Sequence, residues 1–343
     1  MSKTLVLIVP GMLALSAEAI AAMGSLAILA RYAGAPRSEA CGITAALLNA
    51  LGAPAATPVA PLALLGAGSD PAGDYVLCAD PVHLVADRDT VVLVGTVDDL
   101  SHEDADELVR MLDRHFAGDD LRFEAVRPDA WFARRQHAPD IATTPVDAAR
   151  GRKLFSSLPR GAQAGTWKRW QNEIEMLLHE HPVNAAREAR GEARVSGVWF
   201  WGGGRVADAG AMPLTAVTAA PGRLGDLARG IAMHGGGAMA TLQDGDDLLQ
   251  AMTRANALAA SHRDAPIVAL VVLPALFDAA MLEAKWLAPA LDELGAHRLD
   301  ALHLIANGTA VALTWTARRP GVWQRIAART ARGRFAIPSA SDA

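Results

Sequence analysis

Residues 4–9 are apolar without interruption and rich in β-branched side chains, the pattern of a strand buried on both faces of a parallel sheet. Helical periodicity follows over residues 17–32 and 43–51, separated by a turn at 34–37. The character then changes. Residues 54–61 form a Pro/Ala connector and residues 66–73 a Gly/Asp turn, and beyond them the strands at 75–78, 90–94 and 121–125 are shorter and more polar. These bracket an acidic helix that begins at Ser101, where Ser-His-Glu-Asp resembles a capping box.

Residues 134–160 are polar and proline-rich and read as a long loop. A helix over 166–179 gathers Trp167, Trp170, Ile174, Leu177 and Leu178 on one broad face. The strand at 195–201 is apolar again and runs into Gly202, Gly203 and Gly204. Further buried strands are expected at 215–218, 267–273, 302–306 and 311–315, with helices at 224–233, 246–261 and 281–294 between them. Strand and helix alternate at both ends of the chain, so the expected architecture is an α/β core split by a small α+β insertion.

Composition narrows the function classes. The 343 residues are 51% hydrophobic and 20% charged, ample for a full core and unlike a disordered chain. The net charge of −5 carries no basic excess that would advertise nucleic acid or an anionic membrane surface. Two cysteines, Cys41 and Cys78, are too few for a disulfide scaffold or a cysteine-based zinc site, which points to a reducing, cytoplasmic setting. The apolar start could be an export signal, but Pro10 and Gly11 interrupt it too early, and no later run is long enough for a spanning helix. A buried first strand is the preferred reading.

Several constellations carry both a chemical and a structural reading. Gly202-Gly203-Gly204-Arg205-Val206-Ala207 fits a dinucleotide-binding turn after a strand. Asp208, Gly210 and Pro213 stand where the following helix should begin, so a tight, closely packed turn is preferred, with Arg205 and the turn amides still able to hold an anion. His234-Gly235-Gly236-Gly237 resembles an esterase oxyanion loop, but no G-x-S-x-G elbow accompanies it, leaving a helix C-cap. His179 and His181 flank Glu180 two residues apart and do not share a helix face, so helix termination is preferred to metal ligation. Glu103, Asp104, Asp106 and Glu107 read as a solvated helix face, and the arginine-rich stretch at 318–334 as a solvated terminal helix or a phosphate-binding patch.

One succession is more specific. Asn172 to Asn184 ends in His181-Pro182-Val183-Asn184; Arg187 and Gly191 follow, and then Val198-Trp199-Phe200-Trp201-Gly202-Gly203-Gly204. It resembles a segment of the archaeal-type, cofactor-independent phosphoglycerate mutases of the alkaline-phosphatase superfamily, and a bacterial branch labelled RpfE-type regulatory proteins. Residues 65–68, 80–82 and 100–108 resemble that family's inserted domain; residues 264–273 and 282–294, with Lys285, resemble its later core. The resemblance implies an alkaline-phosphatase-like, mostly parallel sheet with helices on both faces. The expected core is 1–65 with 190–335, the insertion 66–189 and the tail 336–343.

The same resemblance implies two divalent metals held by Asp and His at strand ends and a transiently phosphorylated serine. Residue by residue, those parts are missing. The first strand ends in Val9-Pro10-Gly11 where an Asp-Gly is expected, and residues 41–65 offer only Thr44, Asn49 and Thr57 as polar side chains. Ser69-Asp70 lies in the insertion's leading turn, Leu273-Pro274-Ala275-Leu276-Phe277-Asp278 has one carboxylate and no histidine, and Asn307-Gly308-Thr309 stands for the terminal Asp-His-Ser.

The leading expectation is therefore a catalytically degenerate, ligand- or partner-binding regulatory protein with no cofactor, no metal site and no catalytic residues. Asn184, Arg187, Gly202, Gly203, Gly204 and Arg205 are the candidate site for a phosphorylated or carboxylate small molecule. Arg187 reads equally as a surface helix arginine or an interdomain salt bridge. The rival is an active mutase or phosphohydrolase using Asp80, His83, His234 and Asp278 as substitute ligands. A third reading, a structural or protein–protein module, would be favoured by exposure of Trp167, Trp170, Trp199, Trp201, Trp286, Trp315 and Trp323, for which core burial is the more ordinary explanation.

Overall fold

The structure is a computed structural model that describes residues 3–54, 56–87, 90–258, 267–275, 278–308 and 311–321. The chain divides into two compact units, Met1–Ala55 with Ala211–Ala343, and Ala56–Gly210.

In chain order, the first unit opens with β1 (Lys3–Val9), α1 (Ala17–Ala22), α2 (Gly24–Ala33), β2 (Arg37–Glu39) and α3 (Gly42–Ala50). The second unit comprises α4 (Val59–Gly66), β3 (Tyr75–Asp87), β4 (Thr90–Thr96), α5 (His102–His115), β5 (Arg122–Arg127) and β6 (Ala130–Arg135). It continues through α6 (Val146–Ala149), α7 (Leu154–Ser157), α8 (Ala164–His179), α9 (Pro182–Ala189) and β7 (Gly197–Gly204). The chain returns to the first unit with β8 (Ala216–Ala219), α10 (Arg223–Gly235), β9 (Ala238–Thr241), α11 (Leu248–Leu258) and β10 (Ile267–Val272). It ends with α12 (Ala279–Leu282), a π-helical turn at Glu283–Leu287, α13 (Ala288–Gly295), β11 (Ala301–Asn307) and β12 (Ala312–Arg318).

The first unit holds a seven-stranded sheet in the order β2-β12-β11-β1-β10-β8-β9. β1 is central and parallel to both β10 and β11, β8 and β9 continue the parallel run, and β12 and β2 add an antiparallel edge. Leu5, Leu7 and Val9 pack into one cluster with α1, α2, α11 and α13, while Val6 and Ile8 on the opposite face are equally inaccessible. Burial on both faces is what the uninterrupted apolar run of β1 requires, at roughly 1.5–3 kcal/mol for each fully buried aliphatic side chain.

The second unit is an antiparallel sheet in which β6, backed by β5, pairs the first part of β3 and β4 its last part along one edge, while β7 pairs β3 along the other. Its core stacks Phe116, Trp167, Trp170 and Phe200 edge-to-face beneath α5 and α8. The fold is thus α/β, a mostly parallel sheet interrupted by an α+β unit. Among the described residues no helix is long and apolar enough to cross a membrane.

Several elements differ from expectation for identifiable reasons. The connector at 54–61 contains the start of α4; Pro61 falls in its first turn, where backbone N–H groups have no intrahelical partner to lose. The helix at 17–32 breaks at Met23, because the α2 terminus is capped from far along the chain: Glu283 accepts from Ser25 N (3.0 Å) and Oγ (2.8 Å). The helix at 281–294 carries the π turn just before Pro289, which cannot donate to the carbonyl four residues back. β3 runs through Pro81 to Asp87, and β6 occupies the start of the expected loop.

The strand at 195–201 was expected in the core. It pairs instead with β3, register Asp80↔Trp199, and the second unit accordingly extends to Gly210 rather than 189. The end of the helix at 246–261, the terminal stretch beyond Gly321 with Trp323, and the tail at 336–343 lie outside the described residues.

Candidate functional site

In a parallel α/β sheet the carboxyl ends of the strands are where ligands bind, since loops and helix N-termini converge there. The registers Val9↔Ala306, Ile8↔Val272 and Val272↔Ala219 bring β1, β11, β10 and β8 to one such edge. Leu273 N donates to the Ile8 carbonyl (3.0 Å) and Ala220 N to that of Val272 (2.9 Å), so the alignment continues past the strands.

The residues delivered there are Pro10, Gly11, Ala220, Pro221, Leu273, Pro274, Ala275, Asn307 and Gly308. Asn307 is the hydrogen-bonding side chain of this set, and its Oδ1 accepts from Gly11 N at 2.8 Å. Gly11 sits at φ +79, and a Cβ there would stand 3.2 Å from the Ala275 carbonyl, so this turn admits little but glycine. The edge seals itself. A two-metal centre needs several carboxylate or imidazole donors converging at these strand ends, and the donor set does not fit one. Among the described residues no group of three or more His, Cys, Asp and Glu side chains is placed to hold a metal ion.

The substitute ligands occupy separate places. Asp278 follows β10 at this edge, where its Oδ1 caps α12 by accepting from Ala280 N at 2.7 Å. His234 is near the end of α10, which runs back along the sheet; the adjacent Gly235 and Gly237 pack on the carbonyls of Met212 and Leu214, ahead of β8. It therefore lies at the opposite end of the sheet from Asp278. Asp80 and His83 belong to the second unit. Asp80 is buried and accepts from Trp201 Nε1 at 2.6 Å, and His83 donates Nδ1–H to the Arg194 carbonyl at 3.0 Å. The sequence did not single out Asp226 and Arg229, a buried carboxylate paired with a partly exposed guanidinium (2.5 Å) beside the end of β8, where Arg229 also reaches the Ala219 carbonyl (3.3 Å).

The candidate anion-binding residues are engaged within the second unit. Asn184 is inaccessible: Nδ2 donates to the carbonyls of Leu178 and Val195 (2.8 Å each), and Oδ1 accepts from Val195 N (2.9 Å). It ties the end of α8 to the start of β7. Arg187 is also buried and donates Nε–H to the Ala193 carbonyl (2.8 Å), with its other nitrogens on Asp99 (2.5 Å) and Glu192 (3.2 Å). Its salt bridge therefore lies within the second unit. A Cβ on Gly202 would meet Val59 at 3.0 Å, one on Gly203 would meet the Tyr75 hydroxyl at 2.5 Å, and one on Gly204 would meet Pro58 at 2.5 Å. These glycines serve close packing of β7 on α4 and β3. Arg205 donates to the carbonyls of Gly73 and Gln136 (2.6 Å to the latter).

His179 ends α8 as expected, whereas His181 caps the start of the next helix, α9, by accepting from Val183 N; Gly236 ends α10 in the left-handed conformation. Trp167, Trp170, Trp199, Trp201, Trp286 and Trp315 are all buried, so among the described candidates no exposed tryptophan favours the protein–protein module, and Trp323 lies outside the described residues. A groove of about 1070 Å³ opens in the second unit between β3 and α8, a place the sequence did not indicate because its walls come from four separated stretches of chain.

No family model and no curated protein matches the sequence. Among solved structures, a cofactor-independent phosphoglycerate mutase from Thermoplasma acidophilum is similar at 15% identity and a TM-score of 0.43, covering 94% of this chain and 91% of that one. The PH0037 protein from Pyrococcus horikoshii is similar at 15% identity and a TM-score of 0.48, covering 92% of this chain and 87% of that one. At such identity a shared chain path does not transmit site chemistry.

Proposed function

We propose that this chain is a catalytically degenerate, phosphoglycerate-mutase-like protein that acts by binding a ligand or partner, in a regulatory role, rather than by metal-dependent phosphoryl transfer. The observation that carries the reading is the carboxyl edge of the seven-stranded sheet, where proline, glycine, leucine and a structurally engaged Asn307 stand at the strand ends. Among the described residues the carboxylates near this edge are engaged, Asp278 as the α12 cap and Asp226 with Arg229, which leaves little to neutralise phosphoryl oxygens or activate a hydroxyl nucleophile. The separation of His234 from Asp278 counts against a substitute ligand set. A phosphorylated or carboxylate small molecule remains the proposed ligand class, though Asn184 and Arg187 have their donors engaged elsewhere. A cytoplasmic location belongs to the same proposal and is supported by Cys41 and Cys78 being free thiols.

The test is metal content of the purified protein together with manganese-supplemented mutase and phosphatase assays. The expected result is a folded protein with substoichiometric metal and no turnover, whose melting temperature rises with a member of a phosphorylated or carboxylate panel. Stoichiometric tightly bound metal with turnover overturns the proposal.

A further inference from the structure

The groove in the second unit combines an open sheet edge with an acidic wall. Val82 is paired on both sides, with Thr96 of β4 and Gly197 of β7. Beyond it β4 still partners Leu84, Val85 and Ala86, but β7 has ended, and a bulge between His83 and Leu84 turns the outer half of β3 away. Ser196 N donates to the Val82 carbonyl at 2.8 Å, and its Oγ stands 3.5 Å from that of Leu84. The Leu84 backbone therefore faces the groove, and so does that of Ala86 two residues on. The opposite edge is covered: Gly151 N donates to the Leu93 carbonyl (2.8 Å), Arg150 Nε to that of Val94 (3.1 Å), and Val92 bridges Lys153. One edge of this sheet is closed, and among the described residues the other carries only the long Ser196 Oγ contact to the Leu84 carbonyl.

Facing the open edge, α8 presents Glu173, Glu175 and Glu180 around an apolar strip that includes the largely exposed Met176. Arg194 is the cation of the lining, and its guanidinium is occupied by the His179 carbonyl (2.9 Å) and Glu188 (3.7 Å). Glu173 has His115 Nε2 beside it at 3.7 Å. Glu175 is different. It is half-buried, its Cγ lies where a side chain on Gly197 would meet it at 3.5 Å, and among the described residues it has neither hydrogen bond nor ion pair. Burial holds its carboxyl above the ordinary glutamate range. A desolvated carboxylate without a partner gains strongly from an incoming cation.

We propose that this groove receives an extended peptide segment of a partner protein as an added strand on β3, with a lysine or arginine of that segment seated on Glu175. Strand addition supplies affinity through main-chain hydrogen bonds to Leu84 and Ala86, and alternate side chains supply selectivity. Charge complementarity chooses a basic segment over an acidic one. The inference uses none of the strand-end residues behind the proposed function, so either can fail alone.

The test uses the full chain and a fluorescein-labelled octapeptide of alternating valine and lysine, followed by fluorescence anisotropy. Saturable binding is expected, absent for the valine–glutamate counterpart and at least about tenfold weaker when alternate peptide amides are N-methylated. Glu175→Gln, which keeps the side-chain shape, is expected to weaken binding about five- to tenfold without changing the melting temperature. Absence of saturable binding overturns the proposal, as does equal affinity for the N-methylated peptide or for the Glu175→Gln protein. Self-association that excludes the peptide would put a second copy of this chain on the edge and overturn the choice of partner.

Discussion

The carboxyl edge of the seven-stranded sheet and the polar interior of the second unit handle polar atoms in opposite ways. At the sheet edge four strand ends meet, and among the described residues the amide of Asn307 closes a turn on Gly11 while Asp278 and Asp226 are engaged locally. The second unit buries Asn184, Arg187 and Asp80, yet each bonds to another part of the same unit. In the first region the described strand ends offer few side-chain donors; in the second, Asn184, Arg187 and Asp80 are engaged inside the unit and do not line its groove. Where a sheet converges tells where a ligand could bind, and only the partners of each polar side chain tell whether it is free to bind one.

That comparison breaks most readily at Asn184. Asn184→Ala removes two donors and one acceptor from a fully buried position, and a loss of about 3 kcal/mol of stability is expected from the unpaired backbone groups. Denaturant unfolding followed by tryptophan fluorescence measures it, since Trp167 and Trp170 lie in the same core. A change below about 1 kcal/mol would remove Asn184 from the role of latch.

Asp278 sharpens the other half. Asp278→Ala is expected to cost about 1 kcal/mol through loss of the α12 cap, leaving metal content and the absence of turnover unchanged. A loss of bound metal or activity in this variant would return Asp278 to the role of ligand. Calorimetry and metal analysis on the same preparation give both readings.

The smallest effect is a pH dependence in the first sheet. Burial, with Arg318 second, lowers the His303 pKa from its ordinary 6.5, and its Nδ1 lies 3.0 Å from Thr316 Oγ1. Because the folded protein holds the neutral ring, the stabilisation is complete above the ordinary value and is lost as pH falls through it towards the lowered folded value. His303→Gln is expected to flatten that decline, by a fraction of about 1 kcal/mol, in melting temperatures between about pH 7 and pH 5. Parallel curves for the two proteins would show that His303 titrates as it does in the unfolded chain.

Much of the fold was legible wherever local pattern and final environment agree. The apolar run of β1 could only be buried, Ser101 caps α5 by accepting from Asp104 N at 3.0 Å, and Trp167, Trp170, Ile174 and Leu178 do turn inward from α8. Elements held by distant partners were not legible. β2, β6 and β9 are short or polar and exist through their neighbours' ladders, α4 hid in a proline-rich connector, and the break before α2 depends on Glu283, 258 residues away from Ser25. β7 reads identically whether it joins one sheet or the other, because an apolar strand does not name its partner.

The candidate site divides in the same way. From composition and order alone, the strand ends at Pro10, Leu273 and Asn307 were known to lack carboxylates, because a side chain absent from the sequence cannot be supplied by folding. That Asn184 and Arg187 are engaged inside the second unit, and that Leu84 faces an unpaired edge beside Glu175, was decided only by tertiary structure. Residue identity limits what chemistry a chain can offer; hydrogen bonds between residues far apart in sequence settle which of those groups are left to use it.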